Sequence, residues 1–205
     1  MTKALTSAVG LRVVVPGTWA NVPLDDPAKA AAYVKRLVRR QVGGADRLAR
    51  MRRDASQELL VTARDAVGIG VHTYLVSLEL LPGVPFPAAM MMRDEPWPGP
   101  VPSASEDLGP VLAAAFPGGE VAVQRNGPVV RDVEMTRGRT SDAADAVDVL
   151  SMRLEYRVPY PDRSRLLHVR VNVPDLPSAE PFATLFDEIV DSITFLEPVD
   201  AGDQP

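Results

Sequence analysis

The hydrophobic positions of this chain change period several times, and each change marks an element. Residues 11–15, LRVVV, are rich in β-branched valine and run into Pro16-Gly17, which reads as a strand closed by a turn. Asp25 and Asp26 precede Pro27, a capping carboxylate before proline at the first helical position. Ala30, Val34, Leu37 and Val38 recur at helical spacing. A helix is predicted over 27–42, ended by Gly43-Gly44. A second helix is predicted over 45–66, with Leu48, Met51, Ala55, Leu59 and Thr62 on a narrower seam.

From Gly68 the period falls to two. In VHTYLVSLELL, His72, Tyr74, Val76, Leu78 and Leu80 are expected on one buried face, and Thr73, Ser77 and Glu79 on the polar one. Residues 82–110 carry eight prolines, so an irregular proline-rich surface loop is expected over about 82–104, with a short helix at 105–116. Strands at 121–125 and 129–137 meet at the hairpin dipeptide Asn126-Gly127. Alternation is clearest over 149–158, where Leu150, Met152, Leu154, Tyr156 and Val158 oppose Ser151, Arg153, Glu155 and Arg157. Over 166–173, His168, Arg170 and Asn172 fall on the polar face. Phe182, Leu185, Phe186, Ile189, Val190 and Ile193 then form one helical stripe, which runs into a short strand, ITFL.

Strands with one apolar and one charged face imply an antiparallel sheet covered on a single side. The expected fold is α+β: about six antiparallel strands with helices packed mainly on one face, in two layers. Residues 1–198 read as one domain and 199–205 as a disordered polar tail. The chain has 205 residues, 46% hydrophobic, enough for a sizeable core.

Charge and cysteine narrow the chemistry. The net charge of −5 gives no overall pull toward nucleic acid. With no cysteine, disulfides, thiolate metal sites and cysteine nucleophiles are excluded. No segment approaches membrane-spanning length and no signal-peptide run opens the chain, so a cytoplasmic location is expected.

The opening LRVVVPGTW, in which a strand meets Pro-Gly and then Trp19, is similar to the start of small bacterial PsbP-like proteins. The closing helix followed by SITF resembles that family's ending. The family it resembles shares its fold with the extrinsic PsbP subunit of photosystem II and with a Ran-binding nuclear import factor. The resemblance implies a PsbP-like two-layer sandwich. It also implies binding and assembly work, as chaperone, adaptor or accessory subunit, without chemistry of its own.

Two segments stand out as partner-binding candidates. Residues 27–53 hold nine Lys and Arg against one acid, Asp46. Lys35, Arg36, Arg39 and Arg40 lie opposite the first helix's apolar stripe, and Arg47, Arg50 and Arg53 continue along the second. Such a face is either a solvated helix surface or a site for an acidic partner, with arginine supplying forked contacts. Met90, Met91, Met92 and Trp97 lie in the proline-rich stretch, either as gap-fillers or as an adaptable apolar contact surface. No aromatic interleaving points to nucleic acid. His72 and His168 lack zinc-ligand spacing, and Asp142, Asp145 and Asp148 lack the glycine of a calcium loop. No metal site, cofactor loop or catalytic group is expected. The predicted function is a non-enzymatic cytoplasmic adaptor or chaperone-like protein for an acidic protein partner, linked to secretion or envelope assembly. The rivals are an enzyme or binding protein for an anionic small molecule, and a structural homodimer.

Overall fold

The computed structural model describes residues 2–6, 10–139, 148–176 and 179–196. Asp142, Asp145 and the 199–205 tail lie outside them. Two antiparallel sheets form. In the smaller, β1 (Thr2–Thr6), β2 (Leu11–Pro16) and β11 (Thr194–Phe195) lie in the order β1-β2-β11. The larger has eight strands. Its order is β3 (Thr18–Val22), β4 (Val71–Leu81), β6 (Ala89–Glu95), β10 (Leu166–Leu176), β9 (Asp148–Pro159), β8 (Gly127–Arg139) and β7 (Glu120–Gln124), with β5 (Val84–Pro85) paired to β4. The helices are α1 (Pro27–Val42), α2 (Ala49–Gly68, after a 3-10 turn at Asp46–Leu48), α3 (Leu108–Ala115) and α4 (Glu180–Asp191). Among the described residues no helix is long and apolar enough to cross a membrane.

The chain steps from one sheet to the other at Gly17, whose φ is +76°. A Cβ there would sit 2.0 Å from the carbonyl oxygen of Glu79, so only glycine fits. On one face of the large sheet, α4 and the small sheet enclose the main core. Its fully buried members include Leu75, Met90, Met92, Leu154, Tyr156, Val169 and Phe186. On the opposite face the α1–α2 hairpin covers β3, β4 and β6 through Val22, Val34, Val38, Ala63 and Tyr74. Farther along that face α3 covers Val130 and Leu166, with Trp97 beside them.

The α+β class and the antiparallel pairing match the sequence expectation. Three features differ. The large sheet alone exceeds the expected six strands, and helices cover both of its faces. Thr73 and Ser77, expected in solvent, are 4% and 6% exposed because they share the Leu75 face, which looks into the main core beneath the small sheet and α4. The stretch at 82–104 is not one loop. β6 runs through its middle, paired to β4 on one side and β10 on the other. The closing strand returns to pair with β2, in the small sheet.

Candidate functional site

α1 starts where the sequence placed it because Asp26 Oδ1 accepts from the backbone N–H of Ala28 at 2.7 Å and of Lys29 at 3.3 Å. Its buried residues Ala30, Val34, Leu37 and Val38 face the sheet. Lys35, Arg36, Arg39 and Arg40 are thereby left on the solvent side. The link to α2 is closed by Arg52, whose Nη1 donates to the carbonyls of Gly43 and Ala45, each at 2.8 Å. That guanidinium is a structural clasp.

Two recesses adjoin on the hairpin. The first is a cavity of about 300 Å3 where the β3–α1 link meets both helices. It is walled by Pro23, Leu24, Ala30, Leu60, Ala63 and Val67, and Asp25 and Arg64 are its only charged lining residues. The second is a groove of about 820 Å3 between the helices, lined by Lys35, Arg39, Arg52, Arg53 and Arg64 against one acid, Asp46. Ala31, Leu60 and Arg64 belong to both linings, so the two recesses share a wall.

The basic residues singled out in the sequence are thus divided. Lys35, Arg39 and Arg53 meet in the groove. Arg36 and Arg40 are exposed on α1 outside its lining. Arg47 and Arg50 line a separate recess of about 480 Å3 with Met51 and Glu58, and Arg50 pairs with Asp54 at 3.7 Å. Among the described residues Lys35, Arg36, Arg39, Arg40, Arg47, Arg53 and Arg64 make no ion pair. Arg64 was missed in the sequence, although Arg53, Gln57, Leu60 and Arg64 follow helical spacing along one face.

The methionine stretch is not a contact surface. Met90 and Met92 are 0% and 1% exposed in the main core, and Met91 packs against the hairpin cluster. Trp97 is buried beside α3, its Nε1–H donating to the Arg163 carbonyl at 2.8 Å. With Met90 and Met92 in the main core and Met91 against the hairpin, the first half of β6 shows no apolar–polar alternation to advertise it as a strand.

Between the hairpin and α3 the sheet carries a charged network centred on Glu155. Arg170 donates to Glu155 Oε1 from Nε at 3.0 Å and Nη2 at 2.8 Å. Arg157 reaches Oε2 at 3.4 Å and stacks its guanidinium 4.5 Å from the Phe116 ring centre. Arg153, itself paired with Glu134, lies 3.5 Å from Oε1. Burial pushes the Glu155 carboxyl up, but Arg170, His168 and Arg157 together outweigh it and hold the group below the ordinary range. His168 is 4% exposed. Its Nδ1 accepts from Arg93 Nε at 3.0 Å, which assigns the ring proton to Nε2, 3.4 Å from Glu155 Oε2. Burial lowers its pKa against the opposing pull of Glu95 and Glu155. Arg93 and Glu95 escaped the sequence reading because they lie on β6.

His72 lies elsewhere. A bulge in β4 sets Val71 opposite Arg93 and sends His72 toward Asp94, at 3.6 Å. Tyr160 donates to the same carboxylate at 2.7 Å, and Arg165 Nε approaches it at 3.1 Å. Burial first, and Asp94 second, push the Tyr160 hydroxyl up to about 12. Among the described residues no group of three or more His, Asp or Glu side chains gathers as a metal site. No family model matches the chain, and no curated protein matches it.

Proposed function

We propose that the protein is a cytoplasmic, non-catalytic adaptor or chaperone-like module that holds an acidic, amphipathic segment of another protein on the α1–α2 hairpin. The observation that carries this reading is the shared wall between an apolar cavity and a groove whose arginines and lysine have no ion-pair partner among the described residues. An acidic amphipathic helix answers both halves. One apolar side chain fills the cavity, and carboxylates on the following turns meet Arg39, Arg53 and Arg64. Residues 27–68 carry ten cations against four acids in a chain of net charge −5, so the hairpin is a local positive pole. Nucleic acid fits less well, since the one aromatic residue of the hairpin, Tyr33, packs into its core rather than offering a stacking platform.

The PsbP-like resemblance supports an accessory role of this kind, in secretion or envelope assembly. The two chain ends that carry it meet in space. Trp19 lies edge-on to Phe186 with ring centres 6.4 Å apart, and β11 pairs with β2. Affinity capture from the host at low salt tests the reading, with the native chain beside a variant carrying Arg39→Gln, Arg53→Gln and Arg64→Gln. The native chain is expected to retain an acidic protein that the variant releases. Equal retention by both would place the site elsewhere.

A further inference from the structure

The sheet face holds a second cavity that the adaptor reading does not use. It measures about 170 Å3 and is lined by Ile69, Val71, Met91, Arg93, His168 and Arg170. The strand register builds its floor. Arg93 stands opposite His168, and Met91 opposite Arg170, so the two arginines lie on a diagonal across β6 and β10. The bulge in β4 adds Val71 beside Arg93, and the end of α2 adds Ile69.

Each arginine is held by part of its guanidinium. Arg93 spends Nε on His168 and sets Nη2 3.6 Å from Glu95. Arg170 spends Nε and Nη2 on Glu155. Among the described residues nothing bonds Nη1 of either. His168 Nε2 is buried without a hydrogen-bond partner. Among the described residues Arg93, Arg157 and Arg170 meet only the carboxylates of Glu95 and Glu155 here, so these five side chains carry one positive charge in surplus. The remaining wall is apolar.

We propose that this cavity binds a short-chain monocarboxylate, its carboxylate between Arg93 and Arg170 and its chain against Ile69, Val71 and Met91. The single negative charge balances the surplus, and guanidinium is the donor best matched to a planar carboxylate. The volume equals roughly five or six waters at about 30 Å3 each, which suits an acid of a few carbons. A bare inorganic anion would leave the apolar wall unused.

Nuclear magnetic resonance titration of the full chain tests this, with acetate, butanoate, hexanoate and inorganic phosphate as probes. Butanoate is expected to produce saturable shifts at the amides of Val71, Met91, Arg93 and Arg170, with acetate and phosphate weaker. Arg170→Gln should weaken butanoate by about tenfold. Ile69 is 54% exposed, so Ile69→Trp narrows the cavity without disturbing the core and should abolish the shifts. Absence of saturable shifts with every acid would overturn the proposal. So would phosphate matching butanoate, or an Ile69→Trp chain that binds undiminished. Ile69, Arg93 and Arg170 line neither recess of the hairpin, so these outcomes leave the adaptor reading untouched.

Discussion

Arg170 grips Glu155 with two nitrogens, Nε at 3.0 Å and Nη2 at 2.8 Å, both directed at the single oxygen Oε1. The same carboxylate, only 15% exposed, also neutralises Arg157 and lies against His168. Glu155→Gln leaves these cations without their shared counter-charge while keeping the shape of the side chain. The expected loss is about 1–3 kcal/mol, read from urea denaturation. No loss would mean that the network is solvated and contributes nothing to folding.

Acidification should lower stability in two stages. Burial depresses His72 and His168 below the ordinary value of 6.5, against the pull of neighbouring carboxylates. The unfolded chain therefore takes up these protons first. Their contribution is whole above about pH 6.5 and shrinks as pH falls toward the folded values. Glu155 lies below the ordinary 4.5, so its contribution is present above that value and is lost as pH falls through its folded pKa. Melting temperature against pH checks the order of the stages. Replacing both histidines with Asn should remove the upper stage alone.

Met90 is 0% exposed and Met51 is 58% exposed. If β6 is a central strand, Met90→Ala opens a cavity in the main core and costs about 2–5 kcal/mol. Met51→Ala should stay within about 0.5 kcal/mol. Equal, small effects would return the methionine stretch to the surface.

At Gly17, alanine would carry a Cβ into the Glu79 carbonyl at a φ of +76°. Gly17→Ala is expected to cost at least about 1–3 kcal/mol and to lower the melting temperature.

How far the sequence alone reached depended on whether one face of an element met water. α1 was legible to the residue, because Asp26, Pro27 and the Ala30–Val38 stripe all point to one boundary and one buried side. β9 was legible because Arg153, Glu155 and Arg157 alternate against core residues. β6 was not. Both of its faces are covered, so Met90, Met91 and Met92 show no alternation, and prolines at 85, 87, 96 and 98 flank it closely. The burial of Thr73 and Ser77 depends on the small sheet and α4 closing over their face, and the turn of His72 toward Asp94 on a bulge; neither leaves a local trace. The same holds for the candidate site. Lys35, Arg39 and Arg53 were visible as charge, whereas the apolar cavity beside them exists only once the β3–α1 link meets α2.

The central claim is that the hairpin reads charge and apolar shape together. Fluorescence anisotropy with a labelled acidic amphipathic peptide, beside a scrambled peptide of the same composition, tests it most directly. The patterned peptide should bind more tightly and weaken as salt rises. It should lose about tenfold on Arg39→Gln with Arg64→Gln, and again on Ala31→Trp, which crowds the shared wall from an exposed position. Equal binding of both peptides, or binding untouched by Ala31→Trp, would contradict the account.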